Sequence, residues 1–240
     1  MVPKIINYCW FGGSELPSSV KKNIESWKKY CPDYEIKRWD ETNYDITKNG
    51  YVRAAFSSKK FAFLTDYVRL DVIYNYGGIY LDTDVELLKS LDDICENGSF
   101  MSFEQVGRVN TGIGFGSAPG NTFINENKEY YEKNSFTNTE NQFAPEICVK
   151  ITTELLIQHG LNYKKNAFQK VDGINIYPTE FFSPIVMGTN TMKLTRNTCG
   201  IHHYDSSWYS GSQFRKKINY YLIPVKQFIK YKILGKKLYE

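Results

Sequence analysis

Long apolar runs are missing from this chain, and so are cysteine patterns that would define a scaffold. No run of roughly 18 apolar residues occurs among the 240, which excludes a transmembrane helix. The N-terminus, MVPKIINYCW, has no basic segment followed by a long apolar core, so no signal peptide is expected. The five cysteines are Cys9, Cys31, Cys95, Cys148 and Cys199, an odd number, widely spaced and without a CxxC pair. That excludes a disulfide framework and a thiolate zinc site and predicts a reducing, cytoplasmic home. Internal repeats, low-complexity tracts and a linker that would split the chain are also absent. The length suits one α/β domain with a good core, or two small ones.

What is present is aromatic and unevenly charged. The 19 Tyr and 15 Phe exceed the needs of a minimal core. Sugar and base clefts use such rings for stacking, although compositional bias accounts for the larger share. The net charge of +4 hides an asymmetry. Eight of the 30 basic residues and one of the 26 acids fall in 214–240, making that tail +7 and the remaining body −3. A basic tail with Val225, Phe228 and Ile229 on one helical sector suits an anionic membrane surface better than nucleic acid. Lys232 and Lys236 interrupt that sector, so a helix packed on the body has equal weight.

The segment FAFLTDYVRLDVIYNYGGIYLDTD, residues 61–84, carries the chemistry. Apolar periodicity predicts a helix, with Asp66 and Arg69 three positions apart on one face. Gly77-Gly78 stops it, Ile79-Tyr80-Leu81 reads as a buried strand, and Asp82-Thr83-Asp84 forms an acidic tip. Open α/β sheets bind ligands at such strand ends. Two carboxylates so close repel unless a cation or proton compensates them, and oxygen donors suit Mg²⁺ or Mn²⁺. The bland alternative is a solvated turn after an edge strand; for Asp66 and Arg69 it is an exposed helix ion pair.

Residues 4–10 read as a strand, a helix begins at Pro17-Ser18-Ser19, and Tyr34–Trp39 is a second strand, a βαβ unit that implies parallel pairing. The 61–88 segment predicts a second such unit ending in a strand at 85–88. Phe100–Phe103 reads as a strand, and the Gly-rich 110–116 as a tight strand near the acceptor. It lacks the Gly-Lys-Ser/Thr ending of a phosphate loop. A polar loop at 134–142, a helix at 145–159 and a strand with an aromatic loop at 176–186 follow.

Four motifs together make the chain recognisable: PKIINYCWFGG at 3–13, FAFLTDYVRL at 61–70, YGGIYLDTDVELLKSLDD at 76–93 and IHHYDSSW at 201–208. The sequence resembles the DxD-containing sugar transferases of glycosyltransferase family 32, which include α-1,6-mannosyltransferases and capsular-polysaccharide transferases. More distantly it is similar to the glucosylating domains of large clostridial toxins. Asn7 stands where that pattern has His.

The resemblance implies a GT-A type, Rossmann-like α/β domain over 1–213 with a mixed, mostly parallel central sheet, followed by the basic tail 214–240. It implies hexosyl transfer from a nucleotide sugar, a UDP-hexose above a GDP-sugar, with Mn²⁺ or Mg²⁺ and retention by front-face substitution. Trp10 stacks on the base, Tyr80 lines the ribose pocket, and Asp82 contacts ribose and sugar hydroxyls. Asp84 ligates the metal, with His203 and Ser206 completing its shell. Trp208 donates to the β-phosphate, and Asp66 and Arg69 reach the hexose hydroxyls. His202 is read as a surface or core histidine. The implied acceptor is a saccharide or lipid-linked oligosaccharide in surface or capsular polysaccharide synthesis, at the inner face of the plasma membrane. A protein acceptor, as in the toxins, is the alternative within the class.

The rival chemistry is a haloacid-dehalogenase-type phosphatase with Asp82 as nucleophile. That motif normally opens its domain, whereas a complete βαβ unit precedes it here, and Asp92-Asp93 lie too close to supply the later acidic pair. An EF-hand fails for want of the Gly and Glu offsets, and a serine hydrolase for want of a nucleophile elbow.

The tail yields a test. Truncation before Phe214 should release the protein from anionic liposomes while sparing hydrolysis of soluble donor. Added salt should weaken the attachment, because exposed charges are screened within about 8 Å at physiological ionic strength. Loss of the thermal transition on truncation would favour the packed helix instead.

Overall fold

The computed structural model describes residues 1–136, 148–185 and 191–204. Ser206, Trp208 and the tail at 214–240 lie outside the described residues, as do most of the expected loop at 134–142 and the start of the expected helix at 145–159.

The first 39 residues form the expected parallel unit. Strand β1 (Ile5–Cys9) leads through helix α1 (Ser18–Tyr30) to β2 (Glu35–Trp39), in register from Ile5–Glu35 to Cys9–Trp39. Helix α1 buries Val20, Asn23, Ile24 and Trp27 along one stripe. The Trp27 indole N–H donates to the Val85 carbonyl at 2.8 Å.

Helix α2 (Gly50–Ser57) is capped by Asn49, whose side-chain oxygen accepts from the Val52 N–H at 2.9 Å. Helix α3 (Phe61–Tyr76) is buried from Asp66 to Ile73, with Asp66, Arg69 and Asp71 among the buried residues. It stops at Gly77, where φ is +69°, a conformation that favours glycine. Strand β3 (Gly78–Tyr80) then lies parallel to β1. At Gly78 a Cβ would come within 2.6 Å of the Ile5 carbonyl oxygen, so the close approach of β3 to β1 requires glycine there.

The remaining elements are β4 (Val85–Leu87), α4 (Asp92–Glu96), β5 (Phe100–Gln105), β6 (Arg108–Asn110), β7 (Phe115–Ser117), α5 (Thr122–Lys133), α6 (Cys148–Gln158), β8 (Gln169–Val171), β9 (Ile174–Tyr177) and β10 (Gly200–His202). The main sheet runs β2-β1-β3-β7-β5-β9-β8, with β6 also on β5. It is mixed: β1–β2, β1–β3 and β5–β9 pair in parallel, and the antiparallel β7 joins β3 to β5.

Alternation along β1 and β3 divides the core. Ile6, Tyr8, Ile79 and Leu81 face the cluster under α1 and α4, whereas Cys9 and Tyr80 face the cluster containing α2, α3 and α5. Asp82 continues the Tyr80 series, which aims it toward α3.

Two expectations are corrected. The strand at 85–88 does not extend a second parallel unit in the main sheet. After the turn closed by Val85 N–H to Asp82 O (3.0 Å), β4 leaves the sheet and pairs antiparallel with β10. Trp27 and Ser26 of α1 hold it there, Ser26 Oγ accepting from the Leu87 N–H at 2.9 Å. The Gly-rich 110–116 is not one strand but a turn between β6 and β7. Among the described residues no helix is long and apolar enough to cross a membrane.

Asn7, where the motif pattern has His, is fully buried. Its amide donates to the Gly77 and Ile79 carbonyls, both at 3.3 Å, and its oxygen accepts the Trp39 indole N–H at 2.9 Å. It therefore ties β1 to β2 and to the entry of β3.

Candidate active site

Helix α3 and the end of β3 meet at Arg69. Its Nη2 lies 3.1 Å from Asp66 Oδ1 and 3.3 Å from Asp82 Oδ1, with the side chain only 4% exposed. Nε donates to the Thr65 carbonyl at 3.1 Å, and the guanidinium sits 5.0 Å from the Tyr80 ring centroid. The Tyr80 hydroxyl donates to Asp82 Oδ1 at 3.1 Å. Asp66 and Arg69 are thus a buried pair shared with Asp82, not an exposed helix pair. Burial pushes the Asp66 carboxyl up to about 6, against the opposing pull of Arg69. Burial would lower the Arg69 pKa, but Asp82 and Asp66 outweigh it and hold the group charged.

Cys148, the first described residue of α6, lies against Asp66 and favours its carboxylate form, while its thiol is 4.0 Å from Asn110 Oδ1. Its Sγ is 3.9 Å from Arg69 Nη1, and burial raises the thiol pKa, so it stays protonated.

Gly112 forms the other wall. Its carbonyl accepts the Asp82 N–H at 2.7 Å, and its own N–H donates to Asn110 Oδ1 at 2.7 Å. A Cβ at this position would fall 1.9 Å from Asp82 Oδ2 and 2.9 Å from Arg69 Nη1. Glycine is required here by the space that the carboxylate occupies.

Asp84 has different company. Its Oδ2 lies 3.3 Å from His202 Nε2, and its carbonyl accepts the His203 N–H at 2.9 Å. Burial would depress the His202 pKa, but the Asp84 carboxylate, with Glu104 behind it, pushes it up to about 9. Glu104 Oε1 stands 3.9 Å from His202 Nδ1. The His203 ring points elsewhere, its Nε2 2.9 Å from Glu86 Oε2. Neighbouring strand positions face opposite ways, and the pairing of His202 with Val85 turns His202 toward Asp84. The structure therefore brings His202 to Asp84 in place of the expected His203.

Trp10 follows β1. Its indole N–H donates to the Ser14 carbonyl at 2.8 Å, so the polar atom of the ring is committed locally and the ring itself lines the cavity. The Gly12 N–H is held by the Glu41 carboxylate at 3.1 and 3.3 Å. One cavity of about 880 Å³ is bordered by Trp10, Asp66, Arg69, Tyr80, Asp82 and Asp84. Six of the expected site residues are thus together; His203 does not border it, and Ser206 and Trp208 are outside the described residues.

Among the described residues no three His, Cys, Asp or Glu side chains converge to hold a metal. Asp84 with His202 beside it still fits Mg²⁺ or Mn²⁺, ions that use one or two carboxylates and take other ligands from water and substrate phosphates. Asp82 already has Arg69 as counter-charge.

Residues 17–101 match the family model described as "Glycosyltransferase sugar-binding region containing DXD motif". The chain is 26% identical over 221 residues to "Uncharacterized glycosyltransferase L373" of Acanthamoeba polyphaga mimivirus, covering 87% of this chain and 84% of that protein. It is 28% identical over 127 residues to "Inositol phosphoceramide mannosyltransferase 3" of Schizosaccharomyces pombe, covering 51% of this chain but only 35% of the yeast protein. The solved structure "PaToxG Glycosyltransferase" overlays at a TM-score of 0.49 with 17% identity, over 65% of this chain and 68% of that one. The motif resemblance stands, and the enzyme class with it: the chain is a glycosyltransferase, and its match to the DxD-containing sugar-binding region covers residues 17–101. The phosphatase alternative gains nothing, since Asp82 is engaged by Arg69 and Tyr80.

Sequence reasoning missed His202, Gly112 and Cys148 as parts of the site. His202 stood in the IHHYDSSW motif but was read as a surface or core histidine, and Gly112 stood in the glycine-rich run, which was assigned to the acceptor side. Gly112→Ala should displace the Asp82 carboxylate and cut turnover at least about tenfold, a barrier increase of roughly 1.4 kcal/mol, while the far-UV circular dichroism stays native. Wild-type turnover in that variant would contradict the packing of Gly112 against Asp82.

Proposed function

We propose that this glycosyltransferase moves a hexose from a UDP-sugar to a saccharide acceptor, with Mn²⁺ or Mg²⁺ and with retention at the anomeric carbon. The observation that carries this reading is the grouping of Trp10, Asp82, Asp84 and the Asp66–Arg69 pair around one cavity. Trp10 offers a flat apolar face for the base. Asp66 and Arg69, fixed by mutual pairing and by α6, orient hexose hydroxyls without first ordering flexible side chains. Asp82 is positioned between them and Tyr80 to accept hydroxyl hydrogen bonds from ribose or hexose.

Asp84 would hold the divalent ion, which when bound neutralises charge developing on the departing diphosphate; the His202 imidazolium beside it would have to shed its proton before it could join as a ligand. Ser206 and Trp208 keep the roles that the motif resemblance implies, a metal ligand and a donor to the β-phosphate. The basic tail supports a place at an anionic membrane surface, and the surface-polysaccharide acceptor rests on the motif resemblance.

The test is nucleotide release from a panel of UDP-glucose, UDP-galactose, UDP-N-acetylglucosamine and GDP-mannose with Mn²⁺ and no acceptor. One UDP-sugar should be hydrolysed above the rest, and EDTA should abolish the release. Preference for GDP-mannose would overturn the donor assignment. Phosphate release from simple phosphomonoesters at an equal rate would overturn the transferase chemistry of the site.

A further inference from the structure

Of the cations bordering this cavity that the donor reading does not use, Lys59 and Lys60 are exposed and Arg108 is half-buried. It borders the same space as Asp66, Arg69 and Asp82, yet no ion pair joins it to an acid among the described residues. Its side chain is half-buried, and its Nε has essentially no exposed surface and no hydrogen-bond partner. A guanidinium atom desolvated without a partner is costly, and the natural complement of its planar fork is a carboxylate or phosphate. Arg69, by contrast, is already balanced by two carboxylates.

Position along the sheet says which end of the cavity Arg108 serves. β3 is parallel to β1, and β5 regains that direction through the antiparallel β7, so the C-terminal ends of β1, β3 and β5 share one edge. Ser102 of β5 pairs with Tyr177 of β9 on one side and with Asn110 of β6 on the other. β6 therefore lies on the β3 side of β5, two strand positions from β1, or about 10 Å. Trp10 stands at the β1 end, the Asp66–Arg69–Asp82 group at β3, and Arg108 beyond it at the start of β6. A donor with its base at Trp10 and its hexose at Asp66 and Arg69 leaves Arg108 on the far side of the hexose.

That wall is rigid. The Val109 N–H donates to Thr153 Oγ1 of α6 at 2.9 Å, and the Thr153 hydroxyl donates to the Val149 carbonyl at 2.6 Å. Cys148 and Val149 of α6 border the cavity next to Arg108.

We propose that Arg108 forms an anion subsite at the acceptor end of the cavity, taking a carboxylate or phosphate carried by the acceptor saccharide. This rests on the reading of the cavity as a hexosyl-transfer site. The acceptor is then a uronate-containing or phosphorylated glycan rather than a neutral sugar.

The test titrates the full chain, saturated with UDP and Mn²⁺, with methyl β-glucuronide, glucose 6-phosphate and methyl β-glucoside by calorimetry or saturation-transfer NMR. At least one anionic probe should bind about tenfold tighter than the neutral glycoside. Preference for the glucuronide identifies a uronate, and preference for the sugar phosphate a phosphorylated acceptor. Arg108→Gln should erase the preference while UDP–Mn²⁺ binding in the same sample remains. Where that variant fails to bind UDP, Arg108→Lys carries the test: preference for the carboxylate should fall, because lysine cannot make a bidentate contact. Equal binding of all three probes, or an unchanged preference in these variants, would overturn the proposal. So would a loss of UDP affinity in Arg108→Lys as large as the loss of anion affinity, since Arg108 would then serve the donor diphosphate. Failure of the wild-type protein to bind UDP–Mn²⁺ at all would instead sink the hexosyl-transfer reading beneath it.

Discussion

A guanidinium 4% exposed must find its counter-charge inside the protein, and Arg69 finds it twice, in Asp66 and Asp82. Removing either carboxylate leaves an imperfectly compensated buried charge, and removing Arg69 leaves two carboxylates facing each other. The same group therefore holds α3 to the end of β3 and sets the charge state of the cavity floor. The backbone conforms to it. Gly112 leaves room for the Asp82 carboxylate, and Cys148 brings the start of α6 onto Asp66.

One consequence is that the two carboxylates of the DxD motif do different work. Asp82 is satisfied by Arg69 and the Tyr80 hydroxyl before any ligand arrives. Asp84 sits across from it with a histidine as neighbour, on a strand that has left the main sheet. The departure of β4 is what separates them. It pairs with β10, and that pairing delivers His202 to Asp84 from more than 100 residues away in the chain. A motif that looks symmetrical in sequence is split by topology into a carboxylate anchored to Arg69 on the α3 side and one set beside His202 on the β10 side.

Much of this was legible beforehand, for identifiable reasons. The alternation in residues 4–10 and 34–39, the helix between them, and the helix–glycine–strand order of 61–81 depend on local periodicity, and they formed as read. The three-residue spacing of Asp66 and Arg69 placed both on one helix face, and the apolar strand before Asp82 placed the acid pair at a sheet edge. What failed depended on partners far away in sequence. Val85 and Leu87 have a pattern that suits any buried strand, and it is Trp27 and Ser26 of α1 that decide where that strand goes. Two adjacent histidines cannot be told apart without knowing the register of β10 on β4. Gly112 looks like any turn glycine until the Asp82 oxygen is found where its Cβ would be. Helices α2, only eight residues long, and α5, rich in Asn, Glu and Lys, went unread although Asn49 and Asn121 cap their starts.

The most direct measurement of this division of labour is the Mn²⁺ dependence of UDP binding in Asp84→Asn and Asp82→Asn, compared with the wild-type protein by calorimetry. Asp84→Asn should bind UDP equally with and without Mn²⁺, whereas Asp82→Asn should retain most of the wild-type gain on adding the ion. Loss of the Mn²⁺ effect in Asp82→Asn with its retention in Asp84→Asn would contradict the account, because the cation would then be held on the Arg69 side of the motif.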